Sequence, residues 1–409
     1  MRISLLLQRE PFGQIVEQTL ARFWSERHGQ PYYVEWRMAA PITPDRSVPA
    51  AQTWFANIYL NAIFTADAQP AVFDPVRREF SRSTTWWKRP AQQIYTALAL
   101  GQPSARWLTQ ARLAVSPPVP DAGNLLIVAG NRKIRLLDRR AGLAFGVQKT
   151  GFRPEFMAHE LAGRLQARAA GVRTPALLAQ SGRGAWYCEQ YISGTPINRL
   201  ANRAAARAAA TQAASNLQRL LQATAVERDI GDYVDGLQPL IGKLAAASPL
   251  LTTVQREAIE AMTSALVARA RQRSGQITLA LTHGDFQPAN ILVNEDGIWL
   301  IDWEFSGQRQ AGYDALTLAL NARFPHGLAD RMQALARDGW PDDALVSPVG
   351  WPGLAVDQHA DRRLHLAIYA LEELALHLAE NDEPLLTHLN PGFDAFLAEV
   401  ARWLEMDHE

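Results

Sequence analysis

Residues 281–307 read LTHGDFQPANILVNEDGIWLIDWEFSG. Two short apolar runs, Ile291-Leu292-Val293 and Ile298 to Ile301, flank Asn294-Glu295-Asp296-Gly297. An Asp-Gly pair between two such runs is a strong signal for a tight β-hairpin, because the turn needs backbone conformations that Asn, Asp and Gly adopt most readily. A hairpin brings its two ends together. Asn290, before the first strand, and Asp302, after the second, are therefore expected side by side. Asp285, five residues before Asn290, lies on the loop entering the hairpin.

That geometry suits phosphoryl transfer. The reaction needs a carboxylate near the acceptor hydroxyl and oxygen ligands for a magnesium ion bridging the nucleotide phosphates. Asp285 would orient or deprotonate the acceptor, and Asn290 and Asp302 would hold the metal. Glu304 could assist a second ion. A lone His-Gly-Asp says little, and His283 reads as a scaffold residue that holds the loop.

D-x-x-x-x-N followed by a hairpin and an Asp resembles the catalytic and metal loops of the protein-kinase-like fold. The version here, HGDFQPAN with IDWEF, resembles the aminoglycoside phosphotransferase and choline kinase superfamily. Gly312-Tyr313-Asp314 matches that family's later aspartate, here expected to anchor the following helix. The resemblance covers residues 121–409. It implies an α+β, two-lobed protein-kinase-like fold, with a small β-rich nucleotide-binding lobe at 121–195 and a large helical lobe at 196–409 carrying the catalytic loop and acceptor site. An extra α/β domain of unknown role would precede it at 1–120. The implied activity is ATP- and Mg2+-dependent phosphorylation of a small-molecule hydroxyl. A protein-serine/threonine kinase is disfavoured, since HGD replaces HRD and no DFG or APE follows.

The nucleotide side can be sought upstream. Residues 124–192 hold five strand-like runs, with a helix at 154–171 after the third. Lys149 ends the third run, and Glu160 lies mid-helix. In the resembling family the lysine contacts phosphates and pairs with a helix glutamate, and Lys149 and Glu160 match those roles; Glu155 is a rival nearer the helix start. Composition singles out Lys149 independently. Only four of the 41 basic residues are lysines, so the chain uses Arg where charge alone is wanted. The turn from Ala129 to Lys133 could lay backbone amides over phosphates, with Arg132 or Lys133 either reaching a phosphate or solvated. Gln190 and Ile192 stand where the family's interlobe hinge offers backbone hydrogen bonds to adenine. Cys188 reads as an inward packing residue, with no neighbouring His or Lys to activate it.

The wider composition is that of a globular chain. It has 409 residues, 48% hydrophobic and 20% charged, with 41 basic and 41 acidic groups. Two or three domains are expected. Zero net charge argues against a general polyanion binder, so no nucleic-acid partner is expected. One cysteine rules out an intramolecular disulfide and a cysteine zinc cluster. The start is too short for a secretory core, and no apolar run approaches a membrane span, so a cytoplasmic location is expected.

Residues 2–7 look like a strand, 12–29 like an amphipathic helix, and 32–37 like a second strand. Residues 53–64 fit strand or helix equally. Two helices are expected at 86–101 and 104–115, and the Pro/Gly-rich 116–123 is the expected domain boundary. Ala-rich 198–222 reads as a packed helix.

Residues 358–382 read as a helix with Leu364, Ile368, Leu371, Leu374 and Leu378 on its core stripe. Its Glu372 and Glu373, with the Trp303 indole, either meet a cationic acceptor or form a solvated acidic face. Trp86-Trp87-Lys88-Arg89, with Arg77, Arg78 and Arg82 upstream, either meets an anionic partner or packs at an interface. The acceptor stays open among aminoglycoside, choline-like amine, amino alcohol and sugar. The alternative to a kinase is a nucleotide-binding pseudokinase acting as a regulatory or scaffold protein. Its mark would be loss of Lys149, Asp285, Asn290 or Asp302, and all four are present.

Overall fold

The computed structural model describes residues 2–38, 51–80, 86–101 and 104–406. They form two compact units. The first comprises Met1–Pro154, Ala176–Ile192 and Pro384–His388; the second comprises Glu155–Pro175, Ser193–Glu383 and Leu389–Glu409.

The first unit is built on one nine-stranded sheet. Its strands are β1 (Tyr33–Met38), β2 (Gln52–Asn57), β3 (Ala62–Thr65), β4 (Ala111–Ser116), β5 (Leu125–Ala129), β6 (Lys133–Asp138), β7 (Leu143–Gln148), β8 (Leu177–Gln180) and β9 (Trp186–Gln190). They run antiparallel in the order β1-β4-β2-β3-β5-β6-β7-β9-β8. Strand alternation sends successive side chains to opposite faces. Leu125 and Ile127 join one apolar cluster with Phe12, Val16, Leu20, Phe23 and Trp24, while Leu126 joins another with Phe64, Phe73 and Leu100. Of these partners α2 (Phe12–His28) supplies the first five and α4 (Arg89–Leu100) supplies Leu100; the other α-helices described in this unit are α1 (Ile3–Arg9), α3 (Asp74–Phe80) and α5 (Ala105–Leu108). The three strands expected at 124–149 and the two after the next helix are all present.

Two local expectations are corrected. Residues 2–7 belong to a helix, and Ile3, Leu6 and Arg9 are buried at a spacing of three. A short apolar run carries no periodicity that separates helix from strand. Residues 104–115 are helical only through Leu108. Beyond it Ala111, Leu113 and Val115 are each fully buried in alternation, because β4 is inserted between β1 and β2 and its ladder overrides helix propensity. The ambiguous 53–64 divides between β2 and β3. Residues 116–123 do not separate two sheets: β3 pairs with β5 through Ile63 and Ile127. Trp87 is 62% exposed, with the Lys88 ammonium 5.0 Å from its ring. Arg82 and the Trp86 side chain lie outside the described residues.

The second unit is mainly helical: α6 (Glu155–Ala169), α7 (Arg203–Thr224), α8 (Ile230–Ala247), α9 (Thr253–Ala270), α10 (Tyr313–Ala319), α11 (Leu328–Asp338), α12 (His359–Glu380) and α13 (Pro391–Met406). Two small sheets complete it. One contains β10 (Thr195–Pro196), β13 (Ile291–Asn294) and β14 (Gly297–Leu300); the other contains β11 (Val226–Asp229), β12 (Gln276–Thr282) and β15 (Gly307–Gln310). The Ala-rich stretch is the packed helix α7, its Ala210, Ala213, Leu217, Leu220 and Leu221 buried in one cluster. α12 runs through the largest cluster, and α8 and α9 pack on it. Among the described residues no helix is long and apolar enough to cross a membrane.

Candidate active site

The predicted hairpin forms. Ile291 faces Leu300, Asn294 faces Gly297, and Asn294 Oδ1 accepts from the Asp296 N–H at 3.0 Å. At the open end the Ile301 N–H donates to the Asn290 carbonyl at 3.1 Å. This closes the ladder one residue before Asp302. Asp302 has φ +67°, a left-handed backbone that an aspartate adopts at a cost and that concentrates at functional sites.

The entering loop is held from below. The buried His283 ring accepts the Asp285 N–H on Nδ1 at 3.3 Å, which fixes Nε2 as the protonated nitrogen donating to the Ile301 carbonyl at 3.0 Å. The ring lies 4.4 Å from that of Trp303. Asp314, fully buried, accepts the N–H groups of His283 and Gly284 at 2.7 and 2.9 Å. Burial pushes its carboxyl up, while His283 and the two N–H groups pull it down less strongly. Gly284 has φ +82°, and a Cβ there would stand 1.9 Å from the Phe305 carbonyl oxygen. Only glycine fits.

Asp285 is thereby presented with three donors on its carboxylate. Oδ1 accepts from Arg323 Nε at 2.6 Å; Oδ2 accepts from Asn290 Nδ2 at 2.7 Å and Gln287 Nε2 at 2.8 Å. Asn290 Nδ2 also donates to the Asp285 carbonyl at 2.9 Å, so its orientation is fixed and Oδ1 is the atom left to meet a cation.

Arg323 was not singled out from the sequence. Its fork also donates to Glu373 Oε2 at 2.7 Å and to the Gly284 carbonyl at 2.6 Å. The Tyr313 hydroxyl donates to the other Glu373 oxygen. Burial disfavours the Arg323 charge, but Glu373, Tyr313 and Asp285 outweigh it and hold its pKa well above the ordinary value. Burial likewise works against Glu373, yet Arg323 and His377 hold that carboxyl below its usual range. The partners of Arg323 lie 38 and 50 residues away, so no local signal marks it.

The two expectations for the helix acids are both corrected. Glu372 and Glu373 are 3% and 1% exposed, forming neither a solvated face nor a surface for a cation. Trp303 is fully buried, its Nε1 donating to the Leu300 carbonyl at 3.2 Å. α12 runs through the interior, so its polar side is satisfied by other buried groups rather than by water.

The nucleotide-side candidates divide between the units. In the first, Lys149 is fully buried, its Nζ 2.5 Å from Glu10 Oε1 and 2.8 Å from the Asn131 carbonyl. Arg132 and Lys133 are buried too, which excludes the solvated-turn reading. The Gln190 N–H donates to Ala176 at 2.9 Å, so only its carbonyl could serve a base. Ile192 is buried. Cys188 sits in the apolar cluster under the sheet, where burial pushes its thiol up. Glu160 is buried on α6 in the second unit, and Glu304 is half-buried.

An amide oxygen and a carboxylate at the hairpin's open end are a donor set that suits a hard cation such as magnesium. Among the described residues no group of three or more His, Cys, Asp or Glu is placed to hold a metal alone. Magnesium there would complete its shell with phosphate oxygens and water.

A model of the phosphotransferase enzyme family (APH) matches residues 131–349, more than half of the chain, and the chain belongs to that family. The α+β architecture, an antiparallel sheet unit and a helical unit, agrees with that membership. No curated protein matches the sequence.

Solved structures that resemble it include a choline/ethanolamine kinase family protein from Mesorhizobium loti, 16% identical, covering 78% of this chain and 95% of that one with a TM-score of 0.41. Choline kinase LicA from Streptococcus pneumoniae is 14% identical, covering 71% and 92% with a TM-score of 0.42. A thermostable mutant of aminoglycoside phosphotransferase APH(4)-Ia is 13% identical, covering 69% and 94% with a TM-score of 0.45.

Proposed function

We propose that the protein is an ATP- and magnesium-dependent kinase that phosphorylates a hydroxyl of a small molecule: an aminoglycoside, a choline-like amine, an amino alcohol or a sugar. The observation that carries this reading is the Asp285 carboxylate, fixed by Arg323, Asn290 and Gln287 beside the hairpin end that bears Asp302. Family membership supports the reaction class.

In this reading Asp285 is the catalytic base. Its three donors fix its place, which suits a reaction limited by positioning and charge neutralisation. It orients the acceptor hydroxyl and takes its proton as the acceptor oxygen bonds to the γ-phosphorus and the bond from that phosphorus to the departing ADP breaks. Asn290 Oδ1 and Asp302 would hold the magnesium ion. Bound magnesium would supply charge neutralisation at the phosphate oxygens. Lys149 meets a nucleotide phosphate, with Glu160 as its expected helix partner. The Gln190 carbonyl and the Ile192 N–H meet the adenine edge.

The test is ADP release from MgATP against a panel of amines, amino alcohols, aminoglycosides and sugars, with Asp285→Asn as control. One acceptor class should stimulate release, and the substitution should lower it by about 10²–10⁴-fold. Equal turnover by Asp285→Asn would remove the assigned base. Nucleotide binding without transfer to any acceptor would favour the scaffold reading instead.

A further inference from the structure

The first helix ends on Glu10, whose N–H caps it by donating to the Leu6 carbonyl at 3.0 Å. The segment is pinned on both sides. The Phe12 N–H donates to the Glu10 carbonyl at 2.7 Å, and the Thr387 N–H donates to the Arg9 carbonyl at 2.7 Å. From this fixed backbone the Glu10 side chain reaches Lys149, 139 residues later in the chain, and both side chains are wholly excluded from solvent. The rings of Phe12 and Phe152 lie 5.8 and 5.1 Å from the ammonium. A carboxylate beside an ammonium buried between rings favours its charge and fixes its position. The ammonium also donates to the Asn131 carbonyl, which belongs to the turn expected to cover phosphates.

Glu10 lies outside the 131–349 segment that matches the family. We propose that Glu10 is the positioning residue for the phosphate-binding ammonium of Lys149, which makes the N-terminal segment a working part of the nucleotide site. The proposal rests on the reading of Lys149 as a phosphate contact. The Glu10 carboxylate keeps the ammonium charged and confines it to one place, so an incoming phosphate meets a preorganised cation.

The experiment titrates the full chain with MgADP and follows thermal unfolding for wild type, Glu10→Asp, Glu10→Gln and Lys149→Met. Both Glu10 variants should bind MgADP about tenfold more weakly or worse. Glu10→Asp keeps the buried charge while drawing it back by one methylene, so it carries the test if Glu10→Gln does not fold. Wild-type MgADP affinity in both Glu10 variants, or in the Asp variant alone if only it folds, with a clear defect in Lys149→Met, would overturn the proposal and leave Glu10 a structural partner. Wild-type affinity in Lys149→Met would overturn the phosphate reading of Lys149, and the proposal with it.

Discussion

Arg323 joins the candidate base to the helical core. One guanidinium spans Asp285, Glu373 and the Gly284 carbonyl, which a planar fork of donors can do and a compact ammonium cannot. Arg323→Lys is therefore expected to keep the fold but lower kcat about 10–100-fold, with little change in KM for MgATP. Arg323→Ala should also destabilise the protein by about 3–5 kcal/mol, since it leaves Glu373 buried without its main partner. Steady-state kinetics and denaturant unfolding measure the two effects; equal kcat in the lysine variant would mean that the fork does not position Asp285. The contrast with Asp285, Asn290, Asp302 and Asp314 shows what can be read from a sequence. Those four lie within residues 285–314, and the hairpin between Asn290 and Asp302 brings its two ends together. Arg323 and Glu10 meet their partners only through tertiary packing, and spacing along the chain carries no trace of it.

At the scale of the element, α12 shows a helix whose pattern was legible and whose surroundings were not. Its extent and apolar stripe agree with expectation, with Leu364, Ile368, Leu371, Leu374 and Leu378 all buried. Its polar positions resemble a solvated face, yet His365, Glu372 and Glu373 among them are buried. Glu372 accepts from Tyr233 at 2.6 Å and from the Gln310 N–H at 2.6 Å; His365 Nδ1 meets Gln310 Oε1 at 2.9 Å and its Nε2 accepts the Ala355 N–H at 3.2 Å.

Burial pushes Glu372 up to about 7 and His365 down to about 4. The native state thus holds the Glu372 proton more tightly than the unfolded chain does. Its contribution is complete below pH 4.5, the ordinary glutamate value, and is lost as pH rises through about 7. The native state holds the His365 proton less tightly. That contribution is complete above pH 6.5 and is lost as pH falls through about 4. The two slopes oppose each other where they overlap. The stability difference between wild type and Glu372→Gln should therefore fall by about 3 kcal/mol from pH 4.5 to 7, at about 1.4 kcal/mol per unit of pKa. Denaturant midpoints across that range measure it, and a difference independent of pH would contradict the assignment.

For the molecule as a whole, the change of composition at 116–123 was legible, but the continuity of the sheet across it was not. Strand pairing between β3 and β5 depends on which edges meet, and a linker's sequence does not say. Asn61 reinforces the join: its Nδ2 donates to the Ala129 carbonyl at 2.8 Å and its Oδ1 accepts the Ala129 N–H at 3.2 Å. Removing residues 1–120 would expose the β5 edge, strip the apolar cluster of α2, and leave Lys149 without Glu10. The shortened chain is expected to aggregate or to melt without a cooperative transition. A cooperative melt near that of the full chain, followed by circular dichroism, would contradict this.

The short return of Pro384–His388 to the first unit has a temporal meaning. Thr387 and His388 close onto Arg9, so Arg9 waits for a partner 379 positions later in the chain. Synthesis runs from the amino end, so the sheet unit stays unfinished until that partner has been made. A nonsense codon anywhere between the two would leave Arg9 unsealed.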